Sequence, residues 1–237
     1  MLFTFSKYLH GLDSYERHKI VADIIKKSEC NSSTILDVGG ETRITTNHLA
    51  YFLPNRKVLT ANVIAKTGMQ VDGVKLPIDD KSFDAVVSID TLEHIPQAQR
   101  NTAISEYFRI AKKEIILTGP IDNEYQRTSE RRMNENYKKL FGTDHHYLIE
   151  HLNYGDPTIQ DLEKWCGTYR HSIVYLSDNT VHEKHIERAF SFCPKIKILN
   201  KLFKLFYTAY TIVDYKPLQF LPSPKPTTRR FLVHIVF

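Results

Sequence analysis

Thr34-Ile35-Leu36-Asp37-Val38-Gly39-Gly40 is a short apolar strand that stops on an acid and two glycines. That ending has a mechanical meaning. Glycine lets the backbone approach a ligand closely, and a following helix offers free N–H groups at its N-terminus. Its counterpart is Phe83-Asp84-Ala85-Val86-Val87-Ser88-Ile89-Asp90-Thr91-Leu92-Glu93-His94, a second buried strand that runs into polar groups. Two such strand ends read as the ligand-binding edge of a parallel α/β sheet, where a nucleotide-like cofactor lies. Gly39-Gly40 taken alone also fits a tight turn with no ligand.

Working outward, residues 13–29 predict a helix, with Asp13 as its cap, Glu16 at the third helical position, and an apolar face of Ile20, Ile24 and Ile25. Strands are expected at 33–38, 57–63, 82–89, 114–118, 172–176 and 230–237. Helices are expected at 41–53, from Pro96 to Lys112, and at 158–167. Strands alternating with helices at this spacing imply right-handed crossovers and a mostly parallel sheet. Between 121 and 157 the chain turns polar, which reads as an excursion over the strand ends. Residues 195–213 carry an apolar stripe (Leu199, Leu202, Phe203, Phe206, Tyr210, Val213) beside a basic one (Lys197, Lys201, Lys204). Core or lid, dimer contact, and an interfacial helix on anionic lipid all suit it.

With 237 residues, 42% hydrophobic and 25% charged, the chain suits one large globular domain and is too apolar to be disordered. The expected subdivision is an N-terminal helical segment (1–30), a cofactor-binding core (33–120), an acceptor-side insertion (121–170) and C-terminal strands (171–237) with a helical excursion at 181–220. A net charge of +5 allows acidic partners without requiring them. Cys30, Cys166 and Cys193 are scattered and odd in number, so neither a disulfide framework nor a metal-binding spacing emerges. No signal-peptide pattern opens Met1–Lys7, and no apolar run reaches the roughly 20 residues of a membrane span. The expectation is a cytoplasmic protein, with peripheral membrane contact through 195–213 as an option.

The motifs resemble those of class I S-adenosylmethionine-dependent methyltransferases over residues 15–120 and again in the final strand. Ile35–Gly40 is similar to the family's first motif, Asp72–Ile78 to its segment under the adenine, and Phe83–Ile95 to its fourth motif. Asp144–His151 with Gly155-Asp156-Pro157 resembles a bacterial subgroup found beside polysaccharide glycosyltransferases. The resemblance implies an α/β Rossmann-like fold: a mostly parallel seven-stranded sheet flanked by helices, its last strand antiparallel, with a polar insertion after the fifth strand. It also implies S-adenosyl-L-methionine as cofactor. Asp37, Gly39 and Gly40 would lie along its methionine part, Asp72 and Gly73 would border the adenine, and Asp90 would close the pocket.

Two positions depart from the pattern. Glu41-Thr42-Arg43-Ile44 stands where a third glycine is usual, and Asn62 stands where an acid grips the ribose. Exchanging a charged for a neutral hydrogen bond, on the order of 1 kcal/mol, would weaken cofactor binding about fivefold. The expected reaction is O-methylation of a small-molecule or glycan acceptor, which calls for a general base. His145, His146, Glu150 and His151 are the candidates, His146 and Glu150 being spaced to share a helix face. Arg127 and Arg131 could bind an anionic group on the acceptor; a solvated charged face is the plainer reading. No metal is expected. An RNA methyltransferase would want a concentrated basic groove with stacking aromatics, and the basic residues here are spread out. A non-catalytic protein that keeps the fold to bind a partner would account for Asn62 and the missing glycine.

Overall fold

The computed structural model describes residues 12–40, 48–63, 69–177 and 219–237, together with positions 198, 199 and 202. In chain order the elements are α1 (Leu12–Lys27), β1 (Thr34–Val38), α2 (His48–Phe52), β2 (Lys57–Asn62), β3 (Met69–Gln70) and β4 (Phe83–Ile89). A single 3-10 turn (Leu92–His94), α3 (Gln97–Ile110), β5 (Ala111–Pro120), α4 (Glu124–Phe141), α5 (His146–Tyr154) and α6 (Ile159–Cys166) come next. The chain closes with β6 (Arg170–Ser177), β7 (Gln219–Leu221) and β8 (Arg230–Val236).

The strands form one sheet in the order β3-β2-β1-β4-β5-β8-β6-β7. β1 to β5 pair in parallel, while β8 runs antiparallel between β5 and β6. The expected seven strands are therefore present with the last one antiparallel, and β7 adds an eighth at the edge against β6. Order reverses between β1 and β4, so their C-terminal ends flank the crevice of the doubly wound sheet.

Side chains alternate across the sheet and fill two cores. Leu36, Val38, Val86, Ile115 and Phe231 pack with Tyr107 and Ile110 of α3 and Leu162 and Trp165 of α6. Ile35, Ala85, Val87 and Ile116 face the other way, against Val21 and Ile25 of α1, Leu49 of α2 and Leu53 just after it.

Details differ from the sequence expectation. α1 begins at Leu12, so Asp13 lies inside the helix and not at its cap. The buried face of α1 is Tyr15, Glu16, His18, Val21, Ala22 and Ile25, which leaves Ile20 and Ile24 half-buried. The 121–157 insertion is two helices. Asn123 caps α4 by accepting from Gln126 N at 2.9 Å, and Gly142, at φ 78°, ends it. Of the 195–213 stripe, only Ile198, Leu199 and Leu202 are described, and all three are exposed. The segment 41–47 and nearly all of 181–220 lie outside the described residues. No helix among the described residues is long and apolar enough to cross a membrane.

Candidate active site

The site grows from the end of β1. Asp37 is fully buried there, and Gly39 follows at φ 82°, a conformation that side chains resist. Space forbids a side chain as well. A Cβ on Gly39 would stand 2.0 Å from Thr91 Oγ1, and one on Gly40 would stand 2.4 Å from Asp37 Oδ2. Thr91 is itself fixed, donating to Val38 O at 3.0 Å and Ile89 O at 3.2 Å. The ends of β1 and β4 are thus drawn together at the switch point.

Asn62 closes this turn from β2. Its amide Nδ2 donates to Gly39 O at 3.1 Å and Gly40 O at 2.9 Å. The residue that departs from the family pattern is therefore tied to the glycine loop. Asp72 accepts from Val74 N and Lys75 N, at 2.9 and 3.0 Å, and folds a turn at Gly73, φ 77°. The Lys75 and Val74 N–H groups hold its carboxyl below the usual range. Val71 N donates to Asn62 O, which sets this turn beside the end of β2.

Asp90 sits at φ 49° just past β4, engaged by Arg17 of α1 and by both terminal nitrogens of Arg230 at the head of β8. Burial would raise its carboxyl, but the Arg17 and Arg230 charges overcome this and hold it far below the usual carboxylate range. Asp90 walls the edge as one member of a charged triad.

Past Asp90, the 3-10 turn presents Glu93 and His94 to α5, which in turn packs on α4. Glu93 is 1% exposed, and burial followed by the Asp90 charge pushes it up to about 7. His94 Nδ1 donates to Glu150 Oε2 at 2.7 Å, and His146 Nε2 meets Glu150 Oε1 at 3.2 Å. His151 Nδ1 donates to Glu130 Oε1 of α4 at 2.8 Å. Burial alone would lower His151; Glu130 and neighbouring carboxylates raise it to about 9. His94 is lowered by burial and by the His151 charge. Asp156 is raised by burial and then by Glu130.

Arg100 of α3 brackets the two halves of this group. Its Nε donates to Leu92 O at 2.8 Å and Ile95 O at 3.0 Å, and its Nη2 donates to the carbonyls of Tyr154 and Gly155. One planar fork thus fastens the turn bearing Glu93 and His94 to the end of the helix bearing His151.

The expected base candidates separate. Glu150 and His151 join the buried group, while His146 is 76% exposed and reaches it only through Glu150. His145 serves as the cap of α5, its ring edge-on to Tyr137. Arg127 is held by Asp122 and Glu124 on the outer side of α4, and Arg131 is exposed. The inward side of α4 carries Gln126, Ser129, Glu130 and Asn134 instead. Sequence reading missed Glu93, Glu130, Arg100 and the part played by His94. A signal existed for α4: Met133 is the one apolar residue between Tyr125 and Tyr137, and Glu130, Ser129 and Gln126 precede it by three, four and seven positions.

Residues 37–117 match the family model of a methyltransferase domain. An uncharacterised protein of Haemophilus influenzae is 28% identical over 107 residues; the match takes in 44% of this chain and 36% of that protein, so the chain spans about a third of the length of this curated relative. Among solved structures, a SAM-dependent methyltransferase of Thermotoga maritima, described as a possible histamine N-methyltransferase, superposes with a TM-score of 0.55 at 12% identity, covering 98% of this chain and 94% of that one. Geranyl diphosphate C-methyltransferase of Streptomyces coelicolor, in complex with Mg2+, geranyl diphosphate and S-adenosyl-L-homocysteine, superposes with a TM-score of 0.55 at 10% identity, covering 92% and 77%. Over residues 37–117 the chain is similar to a methyltransferase domain, and its fold is the Rossmann-like fold of these solved structures.

Proposed function

We propose that this protein is an enzyme that transfers the methyl group of S-adenosyl-L-methionine to an oxygen of a small-molecule or glycan acceptor. The observation that carries the proposal is the cradle at the β1–β4 switch point, where Gly39 and Gly40 have no room for a side chain beside buried Asp37. The residues fit the cofactor. Asp37, Gly39 and Gly40 would hold its methionine part, with Asn62 fixing the loop, and Asp72 and Gly73 would border the adenine. Asp90, neutralised by Arg17 and Arg230, would form the adjoining wall. When bound, the cofactor supplies a methyl on a cationic sulfonium, which favours carboxylates and backbone carbonyls around it.

The acceptor would lie on the α4–α5 side. A hydroxyl acceptor must shed a proton as the methyl arrives, and Glu150 with exposed His146 leads from His94 to solvent. The glycan half of the proposal rests on the resemblance of 144–157 alone. The test offers the protein methyl-labelled S-adenosylmethionine with a panel of nucleotide sugars, oligosaccharides and small hydroxylated molecules. Label recovered on an acceptor oxygen supports the proposal. Label found only on nitrogen or carbon acceptors would overturn the choice of atom, and failure to transfer to any acceptor class would remove the catalytic reading.

A further inference from the structure

Two imidazoles and a carboxylate converge where α4, α5 and the 3-10 turn meet. One ligand atom each from Glu93, His94 and His151 lies within 4.8 Å of the other two. The two rings stand 4.8 Å apart between centroids. Each imidazole already commits Nδ1 to a carboxylate, His94 to Glu150 and His151 to Glu130. An ionised carboxylate only accepts, so the proton lies on Nδ1 and Nε2 is the nitrogen left over. Metal-binding histidines are oriented in this way, by an outer carboxylate that fixes tautomer and ring angle. Independently, Glu93 Oε2 and His151 Nε2 are buried with no hydrogen-bond partner among the described residues. Buried polar atoms left unpaired are costly and call for an explanation.

We propose that Glu93, His94 and His151 form a binding site for a divalent first-row transition ion. Two imidazoles with one carboxylate suit such ions, whereas Mg2+ and Ca2+ favour oxygen ligands throughout. Three protein ligands leave coordination positions open. A divalent charge also offsets the gathering of the Glu93, Glu130 and Asp156 carboxyl groups around His151. Metal ligands must give up their protons to the ion, so binding releases protons and tightens as pH rises. Occupation of the open positions by an acceptor oxygen rests on the methyl-transfer reading; the ion site itself does not.

The experiment titrates the full-length protein, stripped with EDTA and without S-adenosylmethionine, with CoCl2. It follows the visible d–d absorption of the ion and the heat released in two buffers of different ionisation enthalpy. The expected result is one ion bound per chain with proton release. Loss of Nε2 in His94→Ala or His151→Ala should weaken binding more than tenfold, and Glu150→Gln, which disturbs only the outer carboxylate, by roughly tenfold. Circular dichroism confirms folding of each variant, and His94→Gln serves where alanine unfolds the chain. If the folded wild type binds no Co2+, Mn2+ or Zn2+ at millimolar concentration, or if folded variants bind Co2+ as well as the wild type, the proposal fails. Because the ion titration omits the cofactor, its outcome is separate from that of cofactor binding.

Discussion

Arg230, the first residue of β8, grips Asp90 at the end of β4 with both terminal guanidinium nitrogens, Nη2 donating to Oδ2 at 2.9 Å. β8 is the antiparallel strand, so its N-terminal residue reaches the same sheet edge as the C-terminal ends of β4 and β5. Arg17 completes the triad from α1. Three segments distant in sequence are joined at this sheet edge through one carboxylate.

That carboxylate can be tested without disturbing the backbone. Asp90 has φ 49°, which asparagine tolerates nearly as well as aspartate. Asp90→Asn therefore removes charge and leaves two arginines facing each other. Removing one partner of a buried ion pair costs about 3–5 kcal/mol; both side chains here remain 15% exposed, so roughly 2–4 kcal/mol is expected. Urea unfolding of the two proteins measures it. A loss below about 0.5 kcal/mol, the range of ordinary surface substitutions, would mean that the triad does not hold the edge together.

Asn62→Asp is a sharper test, because it installs the acid usual in the family. Here the amide donates to Gly39 O and Gly40 O, and a carboxylate would meet those carbonyls with no proton to give. Losing these bonds should cost on the order of 1–3 kcal/mol. Calorimetry should then show S-adenosylmethionine binding weakened tenfold or more. Tighter binding by the variant would mean that the side chain turns to the ribose as the usual acid does.

The buried group predicts a pH dependence of stability. His151 has a folded value of about 9, above the ordinary 6.5 of an unfolded chain. The folded state therefore binds the extra proton in this window, and its stabilisation is complete below 6.5 and lost as pH rises through about 9. Glu130 on α4, Glu93 and His94 on the turn, and Asp156 after α5 are the groups that face it. Glu93, raised to about 7, and the raised Asp156 act in the same direction, because the folded state keeps their protons longer. His18, lowered to about 4 by burial, acts oppositely but only below about 6.5. In EDTA, the melting temperature should fall between pH 7 and pH 9, by about 2–4 °C per kcal/mol lost. His151→Gln should flatten that slope. An equal slope in the variant would place the titration elsewhere.

How much of this was legible in the chain follows from where each signal is stored. β1, β4 and β5 read plainly because central parallel strands are continuous apolar runs, and Gly39 was legible because its turn leaves no space for a side chain. β7 is three residues long and carried no pattern. Asn62 was visible as a departure from a family pattern, but its bonds to the loop carbonyls were not. On α4 the charges that stand out in the sequence are not the residues that face inward. Arg127 and Arg131 drew attention as charges and lie on the outer side of α4, while Glu130, next to Arg131 in sequence, faces inward. Glu93 and His94 join His151 only after α4 and α5 fold over the strand ends. A spacing of 57 residues carries no ligand signature, as the numbers of His94 and His151 show.

Calorimetric titration with S-adenosylmethionine and S-adenosylhomocysteine decides whether the switch-point cradle binds the cofactor. Gly39→Ala and Asp37→Ala are the controls. The alanine Cβ at position 39 would collide with Thr91 Oγ1, and Asp37→Ala removes the buried carboxyl group beside the loop. Micromolar binding of both ligands by the wild type, weakened at least tenfold in each folded control, is the predicted result. A folded wild-type protein that binds neither ligand would contradict it and leave a methyltransferase fold put to another use.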